Sequence, residues 1–279
     1  MAACPDILTP HALSFYRTKQ KRDGTMDEKN REAPDDGIVI RFRDCFSVRY
    51  IQSAALLCRM GFGLEQEYAR TGTLPAEQRL RHEAFVLNAL FSTVAFLEST
   101  INELWSDAAD NAYFFYDETT EALLRAVGEK WRNENYFDRT PLPAKYQKIL
   151  EIGEKPLFAE EDPDFSGIRD LIGIRNYLMH YRREWVEIRA GGAAGAHSDT
   201  HAEKFEQLLK DRFAENPLAG KNLPFFPDRC LGHGCAEWAV TTSLSFTDRF
   251  FRDLGLPAPY EGIRDDLATR VTGLGLQAQ

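Results

Sequence analysis

The stretch HEAFVLNALFSTVAFLESTINELW at 82–105 decides the fold. Its apolar residues recur in steps of three and four: Phe85, Val86, Leu90, Val94, Leu97, Ile101, Leu104 and Trp105. Leu87, Phe91 and Phe96 fill the gaps between them. That spacing is helical. Little polar face is left, and a helix this apolar on most sides needs neighbours all round it. The pattern predicts a helix over about 76–108 at the centre of a helical bundle.

Upstream, residues 47–70 carry Ile51, Ala54, Ala55, Cys58 and Phe62 at helical spacing. Thr71, Gly72, Thr73, Leu74 and Pro75 break this helix from the next. Downstream, helices are predicted over 117–133, from Leu142 onward, over 166–188, over 200–213 and over 235–254, with a short one at 261–273. Gly191, Gly192 and Gly195 mark a flexible break, and 216–234 is a Pro/Gly-rich loop with Leu223, Phe225 and Phe226 as an apolar clasp. No internal repeat is visible. The fold class is mainly α, one helical domain over 41–279 with extra C-terminal helices.

Residues 1–40 read differently. They are rich in charges of both signs and poor in apolar residues, so burial cannot offset their ordering entropy. A flexible, disordered N-terminal tail is expected there, and a short strand is expected at 38–42, where β-branched residues cluster.

Composition narrows the function classes. The 43% hydrophobic content fits a globular chain. A net charge of −9 argues against a protein that coats nucleic acid non-specifically, though it leaves room for a local site. Five cysteines suit a reducing compartment better than a disulfide framework. No unbroken run of about 18 apolar residues occurs, and the first residues lack a basic patch followed by an apolar core. The expectation is a cytoplasmic protein with no membrane partner.

The segment SGIRDLIGIRNYLMHYRREWVEI at 166–188 carries the chemistry. Leu171, Ile174, Leu178, Tyr181 and Trp185 form its core-facing stripe, so Tyr181 is expected in the core. Ile172, Asn176, Met179 and Arg183 lie roughly opposite, flanked by Arg175 and His180. Asn176 and His180 are four apart and can meet. A face mixing Ile, Met, Asn, Arg and His suits a dimer seam or cleft better than open solvent.

Arg175, Asn176 and His180, with four residues between the Arg and the His, resemble the motif of the HEPN superfamily. The match sits in a periodic helix, follows the long apolar helix at 82–105, and precedes CAEWAVTTSLSFTDRFFRDL at 235–254, which resembles a closing helix of related bacterial proteins. The resemblance spans about 46–254. It implies an α-helical bundle that pairs as a homodimer, with the motif helices meeting at a cleft. It also implies a metal-independent endoribonuclease without cofactors, of the kind found as toxins or antiviral defence effectors. An antitoxin or a nucleotidyltransferase is the kind of protein partner it suggests.

The chemistry is coherent with RNA as substrate. The 2′-hydroxyl attacks the adjacent phosphate, so one group must take a proton, another give one, and a cation must steady the phosphate oxygens. Histidine titrates near neutrality, which suits His180 as general base or acid. Arg175 offers forked donors to phosphate. Asn176 can orient His180 or bind the phosphate or ribose. Arg182 and Arg183 can extend the phosphate track, or simply be solvated helix charges. Glu98 and Asn102 are candidates to line the cleft and hold Arg175 or His180, or to form a satisfied buried polar pair. In a non-catalytic chain Arg175 would pair with Asp170 or with an acid on another helix.

Two rivals stand beside the enzyme. One is a non-catalytic helical binding module for a nucleotide, RNA or protein partner, which the acidic net charge favours. The other is a small-molecule or nucleotide sensor using the same cleft. A zinc site from Cys230, His233 and Cys235 with His197 or His201 matches no common spacing. Cys235 reads instead as a small buried residue at the start of a helix.

Overall fold

The computed structural model describes residues 44–110, 118–133, 139–183 and 200–271. Within them the chain runs α1 (Phe46–Thr71), α2 (Ala76–Ala109), α3 (Glu118–Asn133), α4 (Leu142–Ile152), α5 (Pro163–Met179), α6 (His201–Leu209) and α7 (His233–Leu254). An irregular turn at Phe225–Arg229 precedes α7, and a 3₁₀ segment at Glu261–Leu267 follows it. No strand occurs among the described residues, so the mainly α class holds. The expected tail over 1–40, the cluster at 38–42 and the glycine break at 191–195 lie outside the described residues.

Helix α2 is central. His82, Val86, Leu90, Thr93, Phe96, Leu97, Ile101 and Trp105 are buried on it, and α1, α3, α4, α5 and α7 all pack against it. By length and composition α2 could cross a membrane, although its apolar residues form no unbroken run of about 18. Half of its most apolar stretch is nevertheless buried within this bundle. Helix α1 buries Ile51, Ala54, Ala55, Cys58 and Gly61, a stripe of mostly small residues, and packs chiefly against α2.

A ring cluster locks α4, α5 and α7 together. The Tyr146 ring stands edge-on to Phe246 and Phe250, with centroids 4.9 and 4.8 Å away. Its hydroxyl donates to the Leu97 carbonyl of α2 at 2.7 Å, so a fully buried tyrosine is satisfied. Helix α7 ends at Gly255, whose φ of +74° suits glycine at that cap.

Helix α5, which carries the motif, starts and ends differently from the sequence reading. Asp162 caps it by accepting from the backbone N–H of Asp164 and Phe165 at 3.1 and 3.2 Å. Phe165, Gly167, Ile168, Leu171 and Ile174 are its buried face. The helix stops at Met179 instead of continuing to 188. His180 is its C-cap, and Tyr181, Arg182 and Arg183 are not helical. Beyond Ile174, Tyr177 and Leu178 still pack half-buried against the core, but Met179 and His180 are exposed, and the helix ends where its core contacts end. Helix α6 likewise ends at Leu209, before Asp211 takes a left-handed φ of +67°.

Candidate functional site

The motif occupies the last turn of α5 and the residues just beyond it. Arg175 is partly buried, with 22% of its side chain exposed. Its Nη2 lies 3.7 Å from Oε2 of Glu98 on α2. Asn176 and His180 are both exposed. The Asn176 carbonyl accepts the His180 N–H at 2.9 Å, but no hydrogen bond or ion pair joins the side chains of Arg175, Asn176 and His180. Arg182 and Arg183 are exposed. From Leu171 to Arg183 the chain has three arginines and no acid, a positively charged stretch in an acidic protein.

The supporting residues fall out unevenly. Of the two candidates on α2, Glu98 does face Arg175. Asn102 instead accepts from Nζ of Lys145 at 3.0 Å, which gives that buried ammonium a partner. Asp170 faces Arg212 at 2.9 Å, not Arg175. Burial holds the Asp170 carboxyl above the usual carboxylate range despite Arg212.

Tyr181 corrects the sequence reading. It was expected in the core and is 58% exposed, because the helix that would have turned it inward ends two residues earlier, at Met179. Its ring is perpendicular to that of Tyr177, with centroids 5.6 Å apart. Tyr177 in turn sits 5.1 Å from the His201 ring, 5.4 Å from Phe205 and 5.5 Å from Phe226. Phe205 and Phe226 are buried and pack on each other at 4.7 Å. Trp185, the last member of the expected stripe, lies outside the described residues.

A second polar cluster escaped the sequence reading. Oε1 of Glu65 on α1 lies 2.8 Å from Nε2 of His82 on α2 and accepts the His233 backbone N–H of α7 at 2.7 Å. The His233 imidazole reaches the Thr269 carbonyl at 3.1 Å. His233 therefore begins a helix and ties down the C-terminal segment. Cys235 is buried in the first turn of that helix, and hydrogen bonding to Cys230 followed by burial raises its thiol well above the ordinary range. Among the described residues no three His, Cys, Asp or Glu side chains gather as a metal would require. A depression of about 260 Å³ between α3, α4 and the end of α7, lined by Leu123, Ala126, Ile152 and Leu254, contains none of the motif residues.

No family model, no curated protein and no solved structure matches this chain.

Proposed function

We propose that this chain is a metal-independent endoribonuclease of HEPN type that works as a homodimer in the cytoplasm, as a toxin or antiviral effector. One observation carries the reading. Asn176, His180, Arg182 and Arg183 reach solvent together at the end of α5, beside Arg175, on a stretch free of acids. Phosphate recognition needs such a stretch, and proton transfer needs an accessible imidazole.

In this reading His180 takes the proton from the RNA 2′-hydroxyl. The 2′-oxygen attacks the adjacent phosphorus, and the bond to the 5′-oxygen breaks. A second imidazole, His180 of a second copy, returns a proton to that leaving oxygen. Arg175 steadies the nonbridging oxygens as charge builds on them. The products are a 2′,3′-cyclic phosphate and a 5′-hydroxyl. The exposed side chain of Met179 lies next to His180, where the proposed seam would bring two copies together.

The test is cleavage of a labelled mixed-sequence RNA in EDTA by wild type, His180→Ala and Arg175→Ala. Cleavage by wild type alone, leaving cyclic-phosphate ends, supports the enzyme. Equal cleavage by all three sinks it. A second reading, a non-catalytic helical module that binds a nucleotide, RNA or a protein such as an antitoxin or a nucleotidyltransferase, is favoured by the carboxylate of Glu98 facing Arg175. Folded, dimeric protein that cleaves nothing would shift the weight there.

A further inference from the structure

We propose that Tyr181 is a stacking platform on which one base of single-stranded RNA lies, with the neighbouring phosphates held by Arg182 and Arg183. The inference rests on the ribonuclease reading of the same site and adds to it a residue outside the Arg/His motif.

Among the described aromatic side chains only Phe46 and Tyr181 are exposed. Tyr181 alone is flanked on both sides by groups suited to phosphate: His180 before it, Arg182 and Arg183 after it, all open to solvent. Alternation of an open ring with cations is what an unpaired strand requires. The ring takes a base face and the guanidinium takes the backbone. Every base has a π-face, so such a platform tolerates any sequence. The charge is local. The chain as a whole is at −9 and repels a polyanion, whereas 171–183 carries only positive side-chain charge.

The ring is also braced. Tyr177 meets it at 89°, and such a contact occupies one edge or one face, leaving at least one face of Tyr181 open. Tyr177 is itself held by the buried rings of Phe205 and Phe226 and by the His201 ring. A platform already supported in this way loses less freedom when a base settles on it. The brace joins α5, α6 and the turn at Phe225–Arg229, segments that the sequence gives no reason to group.

The test is fluorescence anisotropy of a labelled 2′-O-methyl octanucleotide, which the proposed reaction cannot cleave. The full-length chain is used as wild type, Tyr181→Ala and Tyr181→Phe. Tyr181→Ala should weaken binding about tenfold, the range expected for one lost stack. Tyr181→Phe should bind like wild type. The slope of log affinity against log salt should be unchanged in Tyr181→Ala, because no phosphate contact is lost, and should fall by about 0.7 in Arg182→Ala or Arg183→Ala, the value for one contact to a single strand.

Wild-type affinity in Tyr181→Ala overturns the platform, and if EDTA-resistant cleavage persists the ribonuclease reading survives it. Failure of wild type both to bind and to cleave removes both. A Tyr181→Ala protein that loses affinity and also falls from dimer to monomer in sedimentation overturns the platform too, because the ring would then be an interface contact.

Discussion

The Arg175 guanidinium and the Glu98 carboxylate stand 3.7 Å apart, one on α5 and one on α2. That is an ion pair without a tight hydrogen bond. On the ribonuclease reading proposed above, an incoming phosphate must compete with this carboxylate for the arginine. Glu98→Gln should therefore tighten binding of the 2′-O-methyl octanucleotide by a few-fold. It should change stability by less than about 1 kcal/mol, since both side chains are partly exposed. Anisotropy and urea unfolding check the two halves. Weaker or unchanged RNA affinity would mean that the pair serves the fold and not the ligand.

Glu65 presents a sharper stability test. One of its oxygens serves both the nearly dry His82 ring and the His233 N–H. Glu65→Ala leaves both buried groups without their acceptor, which should cost about 2–4 kcal/mol. Glu65→Gln keeps an oxygen in place and should cost less. Urea midpoints of the two variants against wild type decide it, and equal midpoints for Ala and Gln would refute the shared-acceptor account.

These two contacts also show what the sequence could and could not disclose. The central place of α2 was legible because its apolar residues exceed a single stripe. The end of α5 was not. Tyr181 and Trp185 continue the helical spacing and no Gly or Pro intervenes, yet the last α5 side chains on the core are Tyr177 and Leu178, and the helix stops just after them. The Arg175, Asn176 and His180 spacing was visible, and Glu98 was one of two candidates to hold Arg175. What sent Asn102 elsewhere is a buried lysine on α4, which no local pattern announces. The Glu65 cluster joins residues 17 and 168 positions apart, so no periodicity could have grouped them.

Asp162 couples pH to the helix that carries the motif. Burial pushes its carboxyl up, but the Arg249 guanidinium and the N–H groups of Phe165 and Asp164 outweigh burial and hold it below the usual range. A depressed folded-state value contributes stability that is present above the unfolded value of about 3.9 and is lost as pH falls through the folded value. The gap in unfolding free energy between wild type and Asp162→Ala should be about 1 kcal/mol at neutral pH. It should hold steady down to about pH 4 and narrow below that. A gap that grows on acidification would contradict the assignment.

Gly167 sets how closely α5 approaches α7. A Cβ there would lie 2.7 Å from Cγ2 of Thr242, closer than side-chain contacts come, so the Thr242 side chain or the helix must shift. Helix propensity alone says that Gly→Ala in a helix interior stabilises by about 1 kcal/mol. The clash argues the other way, and overpacking of this kind costs about 1–3 kcal/mol. Gly167→Ala should therefore destabilise, and Thr242→Ser, which removes the offending methyl, should recover most of the loss in the double variant. The coupling between the two sites is the decisive quantity, because independent effects would add. Since α5 leads straight into its C-cap His180, the same displacement should lower the proposed RNA cleavage in Gly167→Ala and restore it in the double variant. Restored stability without restored cleavage would separate the packing of α5 from the geometry of its end.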